Sequence, residues 1–256
     1  MSDVEYAVDG AVGRIMLNRE HHMNAITAAL ADQLRAALQK LGSQHDVHVI
    51  VIRGTGGNFC AGGDFDEVTR LRDEGPSQLR TLFAGFHAAC NTIAHLDVPV
   101  IAAVEGVAMA GGFELMQAAD IVLVRDDARI SDNHINFGMI PGGGSTARLP
   151  RIVGRQTALS LLLSGERLSG VDAVSRGLAY RSFPAPEFED GVEKFLAALA
   201  GRDRSAVAQI KRLVLDGIGQ PIEHALSDET DAVVARLCGQ AGKDGISAFN
   251  NREVRT

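Results

Sequence analysis

An α/β fold is expected of this 256-residue chain. Two β-forming runs, Val49-Ile50-Val51-Ile52 and Val98-Pro99-Val100-Ile101, each lead into a glycine-containing segment, and amphipathic stretches stand between them. Strands that alternate with helices build a sheet covered by helices. Beyond Pro184 and Pro186 only helical periodicity remains, so the chain divides into a core over residues 1–185 and a helical region over 186–256.

Residues 4–8 and 11–17 alternate around Asp9-Gly10, a hairpin signal. Residues 18–25 are polar and irregular, and Leu30, Leu34, Leu38 and Leu41 then mark a helix. A strand over 48–53 precedes the first glycine segment, Phe59-Cys60-Ala61-Gly62-Gly63-Asp64. From Ser77 a long helix carries Leu79, Leu82, Phe83, Phe86, Cys90 and Ile93 on one face, with His87 on another. The second strand follows, then Met109-Ala110-Gly111-Gly112-Phe113-Glu114 and a helix over 113–118. Ile121-Val122-Leu123-Val124 reads as a buried strand, Met139 to Thr146 as a turn entering a helix, and 155–163 and 170–176 as helical. In the tail, apolar faces recur at Val192, Phe195, Leu196 and Leu199, at Val207, Ile210 and Val214, and at Ile222, Leu226, Val233 and Leu237. That is more apolar face than so small a bulk can hide, and it must pack on the core, on a neighbouring subunit, or on both.

Apolar residues make up 46% and aromatics 5%, with no Trp, so the core is aliphatic. The net charge is −7 and the basic residues are scattered, which argues against nucleic acid as a partner. Cys60, Cys90 and Cys238 share no metal-type spacing and read as free thiols in a reducing compartment. The N-terminus lacks an apolar signal core and no run approaches a membrane span. The expectation is a cytoplasmic protein with no membrane partner, no metal and no redox cofactor.

The chemistry concentrates in the two glycine segments. Glycine lets backbone turn sharply and approach a ligand. Two such turns, one from each strand, can aim two N–H groups at one oxygen, the layout of an oxyanion hole. Glu114 lies three residues beyond Gly111, about 4.5 Å of helical rise, and so reaches the same space. Amide donors beside a carboxylate suit making or breaking a C–H bond next to a carbonyl, or adding water to an activated alkene. Other motifs fail. Phe59 stands where Gly54-Thr55-Gly56-Gly57 would need its last glycine for dinucleotide binding. Gly143-Gly144-Ser145-Thr146-Ala147 lacks the strand and the second glycine of a nucleophile elbow.

Several longer segments, in order and spacing, carry a resemblance. These are Leu17-Asn18-Arg19 with Asn24-Ala25, the first glycine segment, Gly106 to Leu115, Ile140 to Pro150, Leu163-Ser164-Gly165 and Asp244-Gly245-Ile246-Ser247-Ala248-Phe249. The chain resembles the crotonase, or enoyl-CoA hydratase/isomerase, family almost end to end. The resemblance implies a spiral of ββα units with a C-terminal helical trimerisation region, assembled as a homotrimer or as a hexamer of two trimers. It implies an acyl-CoA thioester as substrate and an oxyanion hole at Gly63 and Gly111. Asn24, Ala25, Ala61, Gly62, Asp64 and Gly112 are implied to line the substrate or its CoA, and Glu114 to be the first acid/base carboxylate.

The family's second glutamate falls on His134, four residues before Gly138. A histidine still exchanges protons near neutrality. Three readings stand: hydration, with Glu114 activating water and His134 protonating the α-carbon; another enolate reaction such as double-bond isomerisation, decarboxylation or C–C hydrolysis; or a CoA-ester-binding protein without turnover, His134 being a wall residue. Asp132 and Asn133 either orient the ring or make a turn. Asp66, an acid near the expected CoA, and Glu20 also depart from the family pattern, and Cys60 is read as packing rather than nucleophile.

Overall fold

A computed structural model describes residues 2–253, so residues 254–256 of the expected tail, and the side chain of Ala248, lie outside the described residues. The hairpin around Asp9-Gly10 forms β1 (Val4–Asp9) and β2 (Val12–Leu17), with Gly10 at φ +58. Then come α1 (Ala28–Gly42), β3 (Val49–Gly54), α2 (Phe65–Glu74), α3 (Pro76–His95) and β4 (Val100–Val104). The second glycine segment spans the end of β5 (Val107–Met109) and the start of α4 (Gly111–Ala118). The chain continues through β6 (Ile121–Arg125), β7 (Arg129–Ser131), α5 (Ser145–Ser164), α6 (Gly170–Ser175), β8 (Arg181–Phe183) and α7 (Phe188–Ala200). Three helices complete it: α8 (Arg204–Gly217), α9 (Ile222–Cys238) and α10 (Gln240–Glu253).

One sheet runs β1-β2-β3-β4-β6-β8, antiparallel only at the β1–β2 edge. Val12 pairs with Val49, Ile50 with Val100, and Ile101 with Ile121. After each strand from β2 to β6 the chain enters a second, narrower ladder. Ile26 bridges Gly63, Cys60 bridges Ala108, and β5 pairs parallel with β7. Each strand–bridge–helix passage is thus one ββα turn of a spiral.

The central strands read as unbroken apolar runs because both faces of the sheet are covered. Ile50, Ile52, Val100, Ala102 and Val104 face α1 and α3, burying Leu34, Leu38, Phe86 and Ile93 in the main core. Val49, Val51, Ile101, Ala103 and Leu123 point the other way, onto Phe188, Val192 and Leu196 of α7.

The chain forms two compact units, Met1–Arg204 and Ser205–Thr256. Helix α7, the first helix of the expected tail, therefore belongs with the sheet, for which its apolar face supplies the second cover. In the second unit Ile210, Val214, Ile218, Ile222 and Leu226 are exposed.

Candidate active site

The first glycine turn is clamped by backbone bonds. Cys60 N–H donates to Val107 O (2.9 Å) and Cys60 O accepts from Met109 N–H (3.0 Å), tying this turn to β5. Ile26 N–H donates to Gly62 O (2.7 Å) and Asp64 N–H to Ile26 O (2.9 Å). Gly62 sits at φ +116, and a Cβ there would lie 2.9 Å from the Ala110 Cβ, so the two turns touch. In the second turn Ala110 holds φ 47, ψ −116, a conformation costly for an L-residue. It is imposed by Ala110 N–H donating to Ser131 O (3.0 Å) and by Glu114 N–H donating to Ala110 O (3.0 Å). That second bond opens α4, of which Gly111 is the first residue. Among the described residues, neither the Gly63 amide nor the Gly111 amide donates a hydrogen bond within the protein. Both glycines line one cavity of about 150 Å³.

Glu114 and His134 line the same cavity. Glu114 is buried, and its Oε1 accepts from Gly143 N–H (2.7 Å) and Ser145 N–H (3.1 Å) at the start of α5. Its Oε2 has no hydrogen bond among the described residues, which leaves one oxygen for chemistry. Burial pushes its pKa up. The Ser145 amide, the His134 ring and the Gly143 amide pull it down, Asp132 adds to the upward push, and the net direction is up. His134 opens a short 3-10 turn, His134–Phe137. Its Nδ1 lies 2.6 Å from Asp132 Oδ1. Burial disfavours the charged ring, but the bond to Asp132, that carboxylate's charge and the charge of Glu114 outweigh it, so the His134 pKa is raised.

The remaining wall is apolar: Ile26, Leu82, Phe83 and Phe86 on one side, Phe137 and Ile140 on the other. An apolar, water-poor wall strengthens whatever the amides and the two ionisable groups do to a ligand. Among the described residues no three His, Cys, Asp or Glu side chains group as metal ligands. The polar groups present match a carbonyl compound whose adjacent carbon exchanges a proton.

A family model described as enoyl-CoA hydratase/isomerase matches residues 7–254. The chain belongs to the enoyl-CoA hydratase/isomerase family. It is 31% identical over 250 residues to the peroxisomal Delta(3,5)-Delta(2,4)-dienoyl-CoA isomerase of Arabidopsis thaliana, covering 94% of this chain and 90% of that protein. It is 31% identical over 252 residues to a probable enoyl-CoA hydratase of Bacillus subtilis, covering 97% and 96%. The crystal structure of an enoyl-CoA hydratase from Bacillus anthracis superposes with a TM-score of 0.92 at 27% identity, covering 98% of this chain and 96% of that one. The α/β spiral is thus the crotonase fold, and the family is one of lyases and isomerases.

In this family member the residues expected around the ligand divide. Gly63, Gly111, Glu114, His134 and Ala61 line the cavity. Asn24 does not: it is fully buried, its Oδ1 accepting from Arg19 N–H (2.9 Å) and its Nδ2 donating to Thr55 O (2.9 Å) and Asn58 O (2.8 Å). Its side chain closes the loop after β2 and has no capacity left for CoA. Asp64 is likewise engaged, capping α2 through Asp66 N–H and Glu67 N–H and pairing with Arg19 Nη2 at 2.8 Å. Ala25 spends its carbonyl on Arg19 Nη1 (2.5 Å). Gly62 and Gly112 lie behind the cavity and permit close contact. A Cβ on Gly112 would fall 2.0 Å from Cys60 O. His87 is half-buried and away from the cavity, while Phe86 walls it. Cys60 is fully buried and its thiol is pushed up to about 12 by desolvation, so it packs rather than reacts. Ser145 is buried too, with Oγ accepting from Gln117 Nε2 (3.0 Å).

Sequence reasoning missed the grip of Gly143 and Ser145 on Glu114. A signal existed: the glycine turn before α5 forms a helix N-terminus, where free amides seek an anion.

Proposed function

We propose that this protein is an enoyl-CoA hydratase. The observation that supports the reading is the convergence of two unbonded amides, a buried carboxylate and an imidazole on one apolar cavity. Gly63 and Gly111 N–H hold the thioester oxygen. Glu114, through its free Oε2, takes a proton from water as the water oxygen bonds to the β-carbon. The electron pair moves to the thioester oxygen as an enolate, and His134 gives a proton to the α-carbon. The raised Glu114 pKa makes the carboxylate a better base, and the raised His134 pKa keeps the ring charged closer to neutrality.

The test is crotonyl-CoA hydration, followed by loss of the conjugated thioester absorbance. Glu114→Gln should lower kcat by roughly a hundredfold or more, and His134→Ala should also lose activity. Full activity in Glu114→Gln would remove Glu114 from the mechanism, and CoA-ester binding without turnover would favour a binding protein. One observation favours a second reading, the 31% identity to a dienoyl-CoA isomerase. Two groups that exchange protons across an enolate can also carry a proton between carbons. A non-conjugated 3-enoyl-CoA would then gain absorbance instead of a conjugated one losing it.

The exposed apolar residues of the second unit support a homotrimer, or a hexamer of two trimers, and a sedimentation mass of one chain would refute this. The free, buried Cys60 and Cys90 support a reducing compartment, the cytoplasm in this reading.

A further inference from the structure

We propose that Asp132 is a positioning residue that holds His134 through Nδ1, presents Nε2 to the cavity, and makes the second proton-transfer group a His–Asp pair. This rests on the proposed use of His134 as an acid.

Asp132 follows β7, directly after Ser131, whose carbonyl holds the Ala110 turn. The pair is therefore built into the same segment that fixes the Gly111 amide. The Asp132 side chain is 1% exposed and the His134 side chain 16%. Oδ1 lies 2.6 Å from the ring nitrogen and 3.4 Å from the His134 amide nitrogen, so the ring is the main partner and the turn contact is secondary. Oδ2 is buried and has no hydrogen-bond partner among the described residues. A buried acceptor left without a partner is destabilising, and more so when it is charged. A residue serving only the local turn would avoid that cost as a smaller, neutral Ser. A carboxylate whose one close partner is an imidazole is compensated best when the ring is a cation. Once Nδ1 donates to Asp132, only Nε2 remains for a ligand, and among the described residues it has no other partner.

The charged side chains acting on the ring are Asp132, from its own segment, and Glu114, from α4. Both favour the cation, and Asp132 contributes the direct bond. The pair therefore extends to higher pH the range in which His134 donates a proton. As pH rises through the raised pKa the ring loses that proton, and the activity depending on it falls.

The decisive comparison is wild type against Asp132→Asn, which keeps the shape and an acceptor oxygen but removes the charge. Nitrogen-15 NMR of labelled histidine follows the ring, with His134→Gln used to assign its signal among the eight histidines. The His134 ring should titrate above the ordinary value of about 6.5 in wild type and lower in Asp132→Asn. With an enoyl-CoA substrate, kcat should fall by roughly tenfold to a hundredfold with KM within about twofold, and the alkaline limb of the kcat profile should move to lower pH. A merely structural Asp132 would leave that limb in place. An unchanged limb, an unchanged ring titration, or a wild-type ring titrating at or below its ordinary value overturns the proposal. The wild-type titration decides even if the variant folds poorly. It also decides if wild type turns over no enoyl-CoA, a result that would instead overturn the hydratase reading.

Discussion

Gly112→Ala tests whether the two glycine turns act as one unit. Gly112 is the second residue of α4, and its missing Cβ is where the first turn passes. An added methyl carbon would lie 2.0 Å from Cys60 O and 2.8 Å from Cys60 C. Carbon–oxygen contacts begin near about 3.3 Å, so helix and turn must separate by more than about 1 Å. Neither neighbour is a flexible side-chain end. Cys60 O is the acceptor for Met109 N–H at 3.0 Å, so the retreat breaks the bridge joining the turns. Overpacking of this kind costs about 1–3 kcal/mol, and the better helix propensity of Ala returns up to about 1 kcal/mol. The net loss, about 0–2 kcal/mol, lowers Tm by up to roughly 8 °C in a chain of this size. The catalytic loss should be larger, because a displacement of about 1 Å at a reacting centre costs on the order of a hundredfold. Steady-state kinetics with crotonyl-CoA and a thermal melt should therefore show kcat/KM down about a hundredfold in a protein still folded at 25 °C. A Gly112→Ala variant with both unchanged would refute the close-contact argument.

Two further predictions concern charge. The raised Glu114 pKa means that folding favours its protonated form, so its contribution to stability is full below the unfolded pKa and is lost as pH rises through the folded one. Glu114→Gln should melt higher than wild type at pH 8, with the gap closing as pH falls through the carboxyl titration; a gap that widens in acid would contradict the sign. For Asp64, burial works against the carboxylate, but the Arg19 bond, the Glu67 amide and the charges of Arg19 and His22 hold its pKa down. Its contribution is therefore present above the unfolded pKa and lost as pH falls through the folded one. Asp64→Ala, which uncaps α2 and removes the closer of the two carboxylates paired with Arg19, should cost about 1–2 kcal/mol near neutral pH and less in acid, read by urea denaturation. A variant as stable as wild type at pH 7 would return Asp64 to the list of candidate ligand contacts.

The sheet and the glycine turns were legible in the sequence for a physical reason. Strands covered on both faces, such as β3 and β4, leave unbroken apolar runs, and Asp9-Gly10 marks its own turn. Helix α2 leaves no apolar period in the sequence because it is largely polar, with Leu71 its one buried residue. Strands β5 and β7, three residues each, are too short to show a period. The structural role of Asn24 is invisible in the sequence because its side-chain partners, Thr55 and Asn58, lie more than thirty residues away and only folding brings them near. Asp64 has a structural role that the sequence reading leaves out. Asp64 at the N-cap with Glu67 in the first turn of α2 is a readable helix start, outweighed by the place of Asp64 in the glycine segment.

Whether the Gly63 and Gly111 amides hold the ligand can be read from the infrared stretch of a carbon-13-labelled thioester carbonyl in an enoyl-CoA bound to the Glu114→Gln variant. The two amides at Gly63 and Gly111 should draw electron density onto that oxygen and shift the stretch to lower frequency than in free solution. A bound ligand whose carbonyl absorbs where it does in water would show that those amides do not hold it.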